Sequence, residues 1–425
     1  MTDSPAAFRG LSLTPFRATR FASSAIADQA DLGLALSPPY DVISARDRAT
    51  LVAASPTNVV RLILPEQDEA GLAGGDPYLG ANVLMRRWLT DGVLRVDAEP
   101  ALFVYEMSAP DGTLTRGLLG ALELRDPADG VILPHENTMA GPVSDRLALM
   151  TATEANLEPI YLVYDGGGAA SELVASASTQ PPTSQARTPD GITHRLWAIT
   201  DPAAHERVAS DLAGRRALIA DGHHRYATYL RLQADHQGEP GPWDRGLTLL
   251  VDTSSYGPQV HPIHRVVALS WDEILELTRT SAKVSEPIPL SAVAQALDEV
   301  TGFAVVLATG DRAVLVSELA PDVIRRGLGV DADTALGQLD ITVLHRVLVE
   351  QVWGLTDDVD NVAYAHDIDE ALAAADGQRT AVLVRPTPVK AVAEVAAQGL
   401  RMPRKSTLFT PKPASGVVIR RFADQ

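Results

Sequence analysis

The sequence predicts a mixed α/β protein. Three observations carry that expectation. Strand-like and helix-like stretches alternate along the chain. No segment recurs at a fixed period, which argues against a solenoid or propeller. The length, 425 residues, exceeds one ordinary domain and suggests two or three, or one core with large additions.

The elements follow in order. Ser37-Pro-Pro-Tyr-Asp-Val-Ile-Ser44 must be extended or turned, because each proline keeps its predecessor out of helical space. Ala49–Ala54 reads as a short helix and Asn58–Leu64 as an apolar, β-branched strand. Tyr78–Thr90 has helical periodicity and stops before Gly92, a C-cap residue. Ala101–Met107 and Gly117–Leu124 are strands, with Asp111-Gly112 as a hairpin turn signal. Val143–Asn156 is a helix and Pro159–Tyr164 a buried strand. Asp165–Gly191, rich in Gly, Ser, Thr and Pro, reads as a linker or surface excursion. Leu196–Ile199 resumes a strand, and Asp201-Pro202 opens a helix. Ala217–Ala220 is a short strand that runs directly into a helix reaching Ala234. Beyond Arg265, helices are expected at Trp271–Thr280, Leu290–Glu299, Gln338–Val352 and Pro388–Gln398. Strands are expected at Ala304–Leu307, Ala313–Ser317, Val382–Val384 and Val417–Arg421. These divide the chain into regions 1–124, 125–270 and 271–425.

Composition excludes several function classes. The chain has no cysteine, so disulfides, thiolate zinc sites, iron–sulfur clusters and cysteine nucleophiles are out of reach. Its 36 Lys+Arg against 54 Asp+Glu give a net charge of −18, which disfavours a broad nucleic-acid surface. No apolar run approaches the about 18–20 residues of a membrane span, and Met1–Arg20 does not read as a secretory signal. A cytoplasmic setting is the expectation.

The sharpest local signal is Leu218-Ile-Ala-Asp-Gly-His-His-Arg-Tyr226. An apolar strand ends in Asp221-Gly222, and a helix starts at once with His223, His224 and Arg225. Free amides at a helix start attract anions. Gly222 admits close backbone approach, Arg225 suits a forked phosphate contact, and Asp221 could hold a metal. The competing reading is a capped helix with polar surface groups. A second signal is Leu133-Pro-His-Glu136, followed by Gly141-Pro142 and Asp145-Arg146. A carboxylate beside an imidazole can serve as general base for a hydroxyl, with His135 next to Glu136; a turn with capping residues is the alternative. The third is Arg401-Met-Pro-Arg-Lys-Ser-Thr-Leu-Phe-Thr-Pro-Lys412, a cationic cluster in an acidic chain. Gly399 and Arg404-Lys405-Ser406 imitate a P-loop, but Arg404 replaces its second glycine and Pro403 stiffens the turn, so a Walker site is rejected. A solvated basic segment is the alternative. Asp41 sits in the stiff Ser37–Ser44 loop. His261 and His264, three apart beside Arg265, do not force a shared metal.

Together these segments resemble the DUF1015 family over nearly the whole chain. The resemblance rests on Pro38-Pro-Tyr-Asp-Val-Ile-Ser44, Leu133-Pro-His-Glu136, Ile219-Ala-Asp-Gly-His-His-Arg-Tyr226, His264-Arg265 and Met402-Pro-Arg-Lys-Ser-Thr407. The central motifs are also similar to the ParB/sulfiredoxin-like core of free serine kinases, which implies such a core over 125–270 with α/β additions on both sides. The resemblance implies phosphorylation of free L-serine with inorganic pyrophosphate as donor and Mg²⁺ as cofactor. Glu136 then takes the base role with His135 and Asp221 as catalytic partners, and Asp221 also takes the metal. Gly222, His223, His224, Arg225, Arg404, Lys405 and Ser406 face phosphate. Asp41, Arg146, His264 and Arg265 are candidates for the serine carboxylate and ammonium. Serine and pyrophosphate or a nucleotide are the implied partners, without nucleic acid or membrane, and a homodimer is a candidate assembly. An ADP- or ATP-dependent kinase and a non-enzymatic ParB-like regulator compete; a sulfiredoxin-like reductase fails for want of cysteine.

Overall fold

The structure is a computed structural model, described for residues 9–22, 29–67, 75–358 and 360–425. The chain folds as two compact units of mixed α/β structure. The first comprises Met1–Pro134, Thr138–Pro258 and Pro411–Gln425; the second comprises His135–Asn137 and Gln259–Thr410. Among the described residues, no helix is long and apolar enough to cross a membrane.

The first unit is built on a nine-stranded sheet. Its path runs Ile132–Leu133, Ala217–Asp221, Ile160–Tyr164, Arg245–Asp252, Leu114–Glu123, Leu102–Ser108, Thr193–Ile199 and Ser184–Arg187, and Leu13–Thr14 pairs with Leu114–Glu123. Ala217–Asp221 lies parallel to Ile132–Leu133, and Arg245–Asp252 parallel to Ile160–Tyr164; the other pairs are antiparallel. The central strands are apolar on both faces, as burial on both sides requires. Strands from before and after residue 125 share this one sheet. The Asp111-Gly112 signal falls between the paired strands Leu102–Ser108 and Leu114–Glu123. Helices Ala140–Thr153 and His223–Asp235 are those that matter for the site.

Two expectations are corrected here. Val60–Ile63 is a helix rather than a strand. Asn58 explains it: its side-chain oxygen accepts from Val60 N–H at 2.9 Å, while its amide donates to the Leu34 and Leu36 carbonyls at 2.7 and 2.8 Å. A local side-chain bond of this kind turns the backbone out of extended geometry. The apolar residues still bury, against Met85 and Trp88. The Asp165–Gly191 excursion is also structured, with helix Gly168–Ala177 and strand Ser184–Arg187. Asp211 accepts from Ala170 N–H at 2.9 Å at the helix start, and Trp197 Nε1 donates to the Gln180 carbonyl at 2.7 Å. Ala170, Val174 and Ala177 are buried in the core. Partners far away in sequence thus order a segment whose composition reads as loop.

The second unit carries a six-stranded antiparallel sheet in the order Lys283–Val284, Arg312–Ser317, Ala304–Thr309, Thr380–Leu383, His264–Val267 and Val362–Ala365. The expected Gln338–Val352 helix is α-helical over Asp340–Val343 and π-helical over Leu344–Val352. Such widened turns are frequent at functional sites. Here the widened stretch carries His345. The expected Val417–Arg421 strand, in the first unit, shrinks to Arg420–Arg421, paired with Ala155–Asn156.

Candidate functional site

The first unit holds the Asp221–Arg225 motif, Asp41 and Arg146; the second holds His135, Glu136, His264, Arg265, Arg404, Lys405 and Ser406.

In the first unit, the strand Ala217–Asp221 is buried throughout and delivers Asp221 at its end. Gly222 follows with φ +92°, and helix His223–Asp235 starts directly after it. That left-handed turn suits glycine, which has no Cβ to clash. A Cβ at Gly222 would also stand 3.2 Å from the Cζ and Nε of Arg225. The Arg225 guanidinium is therefore folded back under the turn. It is 3% exposed and pairs with Asp221 Oδ2 and the Pro159 carbonyl. Its buried Nε has no hydrogen-bond partner among the described residues. His223 is buried as well, and Met139 N–H donates to His224 Nε2 at 3.0 Å.

The other oxygen of Asp221 accepts from Lys412 Nζ at 2.5 Å, and the same ammonium donates to Asp41 Oδ2 at 3.1 Å. Burial raises the Asp41 carboxyl, but Lys412 and Arg225 outweigh it and hold the group below the usual carboxylate range. Burial lowers Lys412, and Asp221 with Asp41 reverse this and keep its ammonium above the ordinary value. Beside them, Tyr40 N–H donates to Glu158 Oε1 at 3.0 Å and the Ser415 hydroxyl donates to the same oxygen at 2.9 Å. Burial pushes the Tyr40 hydroxyl up to about 12. Arg146 is buried, donates to Asp145 at 2.6 and 2.8 Å and to the Ile63 carbonyl at 2.5 Å, and covers the Tyr40 ring at 4.2 Å. Its donors serve the protein, so Arg146 holds the Tyr40–Asp41 turn and its own helix in place.

In the second unit, the His135 carbonyl accepts from Met402 N–H at 2.9 Å, and its Nε2 lies 3.0 Å from the Thr407 hydroxyl. Glu136 Oε1 accepts from Lys405 N–H at 3.4 Å. Lys405 has φ +54°, a conformation rare for a side chain with a Cβ. Arg265 supports that turn from below. It is fully buried and donates to His345 Nε2 at 3.0 Å, to the Ile263 carbonyl, and to the Arg404 and Lys405 carbonyls at 3.2 and 3.0 Å. His345 Nδ1 lies 3.0 Å from Asp357 Oδ2. The hydrogen bond from His345 holds the Asp357 carboxyl below its ordinary range. Arg404 and Lys405 side chains are exposed, while Ser406 is buried and donates to the Pro403 carbonyl at 2.5 Å. His264 Nδ1 accepts from Val384 N–H at 3.2 Å, and burial with the neighbouring Arg265 charge pushes its pKa down to about 4.

The fold therefore gathers His135, Glu136, Lys405 and Thr407 in one unit, and Asp41, Asp221, Gly222 and Arg225 in the other. Arg146 and Arg265 have their donors committed to protein groups, as positioning residues do. The sequence assigns Lys412 and Tyr40 no individual role beyond the cationic cluster and the Pro38–Ser44 motif that contain them, and Glu158 none. Lys412 lay within a visible cationic cluster; Glu158 was visible only as an acid at the entrance to a buried strand.

A magnesium ion held by Asp221 does not fit this arrangement. Among the described residues no three His, Asp or Glu side chains form a cation cage, and each Asp221 oxygen already carries a cationic partner.

No curated protein matches the chain. Several solved structures are remotely similar, three of which follow. A conserved hypothetical protein from Pyrococcus furiosus is 14% identical, with 69% of this chain and 94% of that one covered and a TM-score of 0.34. A free serine kinase in complex with AMP is 16% identical, covering 66% and 83%, with a TM-score of 0.33. SbnI with a C-terminal truncation, from Staphylococcus aureus, is 12% identical, covering 71% and 86%, with a TM-score of 0.37. The model of a family described as a protein of unknown function, DUF1015, matches residues 13–342. The match takes in the Pro38–Ser44, His135-Glu136 and Asp221–Arg225 segments, and the chain belongs to the DUF1015 family.

Proposed function

We propose that this protein is a phosphotransferase that converts free L-serine to O-phosphoserine with inorganic pyrophosphate as donor. The observation that carries the reading is the Asp221–Gly222 turn. A buried strand delivers a left-handed glycine to the start of a helix, with a buried arginine Nε beneath it that has no hydrogen-bond partner among the described residues. Helix-start amides and a guanidinium suit a phosphate group.

The remaining roles follow from chemistry. The serine hydroxyl oxygen attacks one phosphorus of pyrophosphate and gives its proton to Glu136. The bridging P–O bond breaks, and orthophosphate leaves with the electron pair. His135 steadies the Glu136 segment. The amides of Gly222, His223 and His224 receive phosphate charge, and the buried Arg225 guanidinium, its terminal nitrogens held by Asp221 and the Pro159 carbonyl, acts on it only as a charge beneath the turn rather than as the forked contact the sequence suggests. Arg404 and Lys405 neutralise the far phosphate, which is the main demand of phosphoryl transfer. Asp41 and His264 are the remaining candidates for serine contacts. Magnesium enters this proposal only as a companion ion of the donor phosphates, and no step depends on Asp221 holding it. The proposal includes a ParB/sulfiredoxin-like core, whose bounds are not the 125–270 expected from sequence because strands on both sides of residue 125 share one sheet, and a homodimeric cytoplasmic enzyme.

The test is phosphoserine formation from serine with pyrophosphate, ADP and ATP side by side, with and without Mg²⁺. Product with pyrophosphate is expected. Product only with ADP or ATP moves the donor assignment, and no product with any donor removes the kinase reading. The Glu136→Gln protein should lose about 100-fold or more in rate, the range of general-base catalysis. A wild-type rate in that variant refutes the base assignment.

A further inference from the structure

Lys412 is a buried ammonium that carries two carboxylates at once, Asp221 Oδ1 at 2.5 Å and Asp41 Oδ2 at 3.1 Å. Asp221 is also paired with Arg225 through its other oxygen. The four groups sum to zero charge, two acids against two bases. Remove the lysine and the turn at Gly222 is left with two carboxylates and one guanidinium. That net negative charge would stand directly against any anion approaching the helix-start amides. Lys412 comes from the last short segment of the unit, Pro411–Gln425, far in sequence from both acids.

We infer that Lys412 is the charge-balancing residue that makes the Asp221–Gly222 turn able to accept an oxyanion of the phosphate or pyrophosphate class. The role is electrostatic: Lys412 and Arg225 together cancel Asp41 and Asp221, so the amide dipoles set the sign of the local potential. The second, independent feature pointing to a ligand is the Arg225 Nε, without a hydrogen-bond partner among the described residues, 3% exposed as a residue and adjacent to Gly222. This assignment deepens the proposed function by naming a residue of the same site. It concerns anion binding alone and does not require that serine be the acceptor.

The experiment is calorimetric titration of the full-length protein with inorganic pyrophosphate, in wild type, Lys412→Met, Lys412→Arg, Asp41→Asn and the double variant Asp41→Asn/Lys412→Met. One uncompensated charge a few ångströms from the ligand should weaken binding roughly ten- to a hundredfold. Lys412→Met should show that loss, Lys412→Arg should retain most of the affinity, and Asp41→Asn should bind at least as tightly as wild type. The double variant restores neutrality and should regain most of what Lys412→Met loses. A general packing role predicts no such recovery. Binding unchanged in Lys412→Met, no recovery in the double variant, or no pyrophosphate binding by wild type each overturns the inference. Failure of phosphoserine formation with these binding results intact overturns only the kinase reading.

Discussion

Replacing Gly222 by alanine perturbs the turn on which the site depends, and the structure lets the cost be divided. The residue sits at φ +92°, so any Cβ brings left-handed strain of about 1–2 kcal/mol. The new Cβ would also lie 3.2 Å from the Cζ and Nε of Arg225 and 3.3 Å from its Nη2. That guanidinium must give by a few tenths of an ångström. It cannot give freely, because Asp221 and the Pro159 carbonyl pin both its ends. Opening a buried ion pair costs about 3–5 kcal/mol when a partner is left uncompensated. The expected total lies between the strain alone, about 1–2 kcal/mol, and about 4–7 kcal/mol if the pair opens fully. Gly92 supplies the control: it has φ +73° with no atom within 4 Å of a built Cβ. Gly92→Ala should therefore cost only the about 1–2 kcal/mol of backbone strain. Calorimetric melting of both variants separates the two terms, since about 1 kcal/mol moves the midpoint by a few degrees in a unit of this size. Amide exchange at the start of helix His223–Asp235 localises the change. Equal midpoint shifts for the two variants, with unaltered exchange after Gly222, would refute the reasoning.

The remaining predictions concern the supporting charges. His194 in the first unit and His264 in the second are both pushed down to about 4, chiefly by burial, against an unfolded value of about 6.5. Their neutral forms are favoured in the fold, so each contributes stability that is fully present above pH about 6.5 and is lost as pH falls toward 4, at most about 3 kcal/mol apiece. Melting midpoints should drop over that window, and His194→Gln should flatten the drop for the first unit; a midpoint flat from pH 7 to 4 would sink this account. Arg265→Lys keeps the charge but cannot reach His345 and the Ile263, Arg404 and Lys405 carbonyls together. Hydrogen exchange at Arg404–Thr407 should accelerate while the six-stranded sheet stays protected, and unchanged exchange in that turn would show that Arg265 does not hold it.

Much of the site was legible because it is written locally. The apolar run Ala217–Ala220, a glycine and two histidines in sequence announce a strand, a turn and a helix start, and each follows from backbone sterics and orphan amides. The Asp201-Pro202 helix start was legible for the same reason, since Asp201 accepts from Ala203 N–H at 3.0 Å. The strand expected at Asn58–Leu64 failed because the Asn58 side chain, held by the Leu34 and Leu36 carbonyls more than twenty residues back, accepts from Val60 N–H and turns the backbone. The Asp165–Gly191 segment failed in the opposite direction, since Asp211 and Trp197 order what composition alone would leave loose.

By itself, then, the sequence determined the α/β class, the exclusion of cysteine chemistry and the strand–glycine–helix turn at Asp221–Gly222. These depend on residue type and short-range spacing. Tertiary structure decided which charges are spent. It turned Arg225, Arg146 and Arg265 inward onto carboxylates and carbonyls, and it brought Lys412 to Asp41 and Asp221 across 371 and 191 positions of chain. Charge pairing in a buried site is settled by proximity in space, and spacing along the chain carries no record of it.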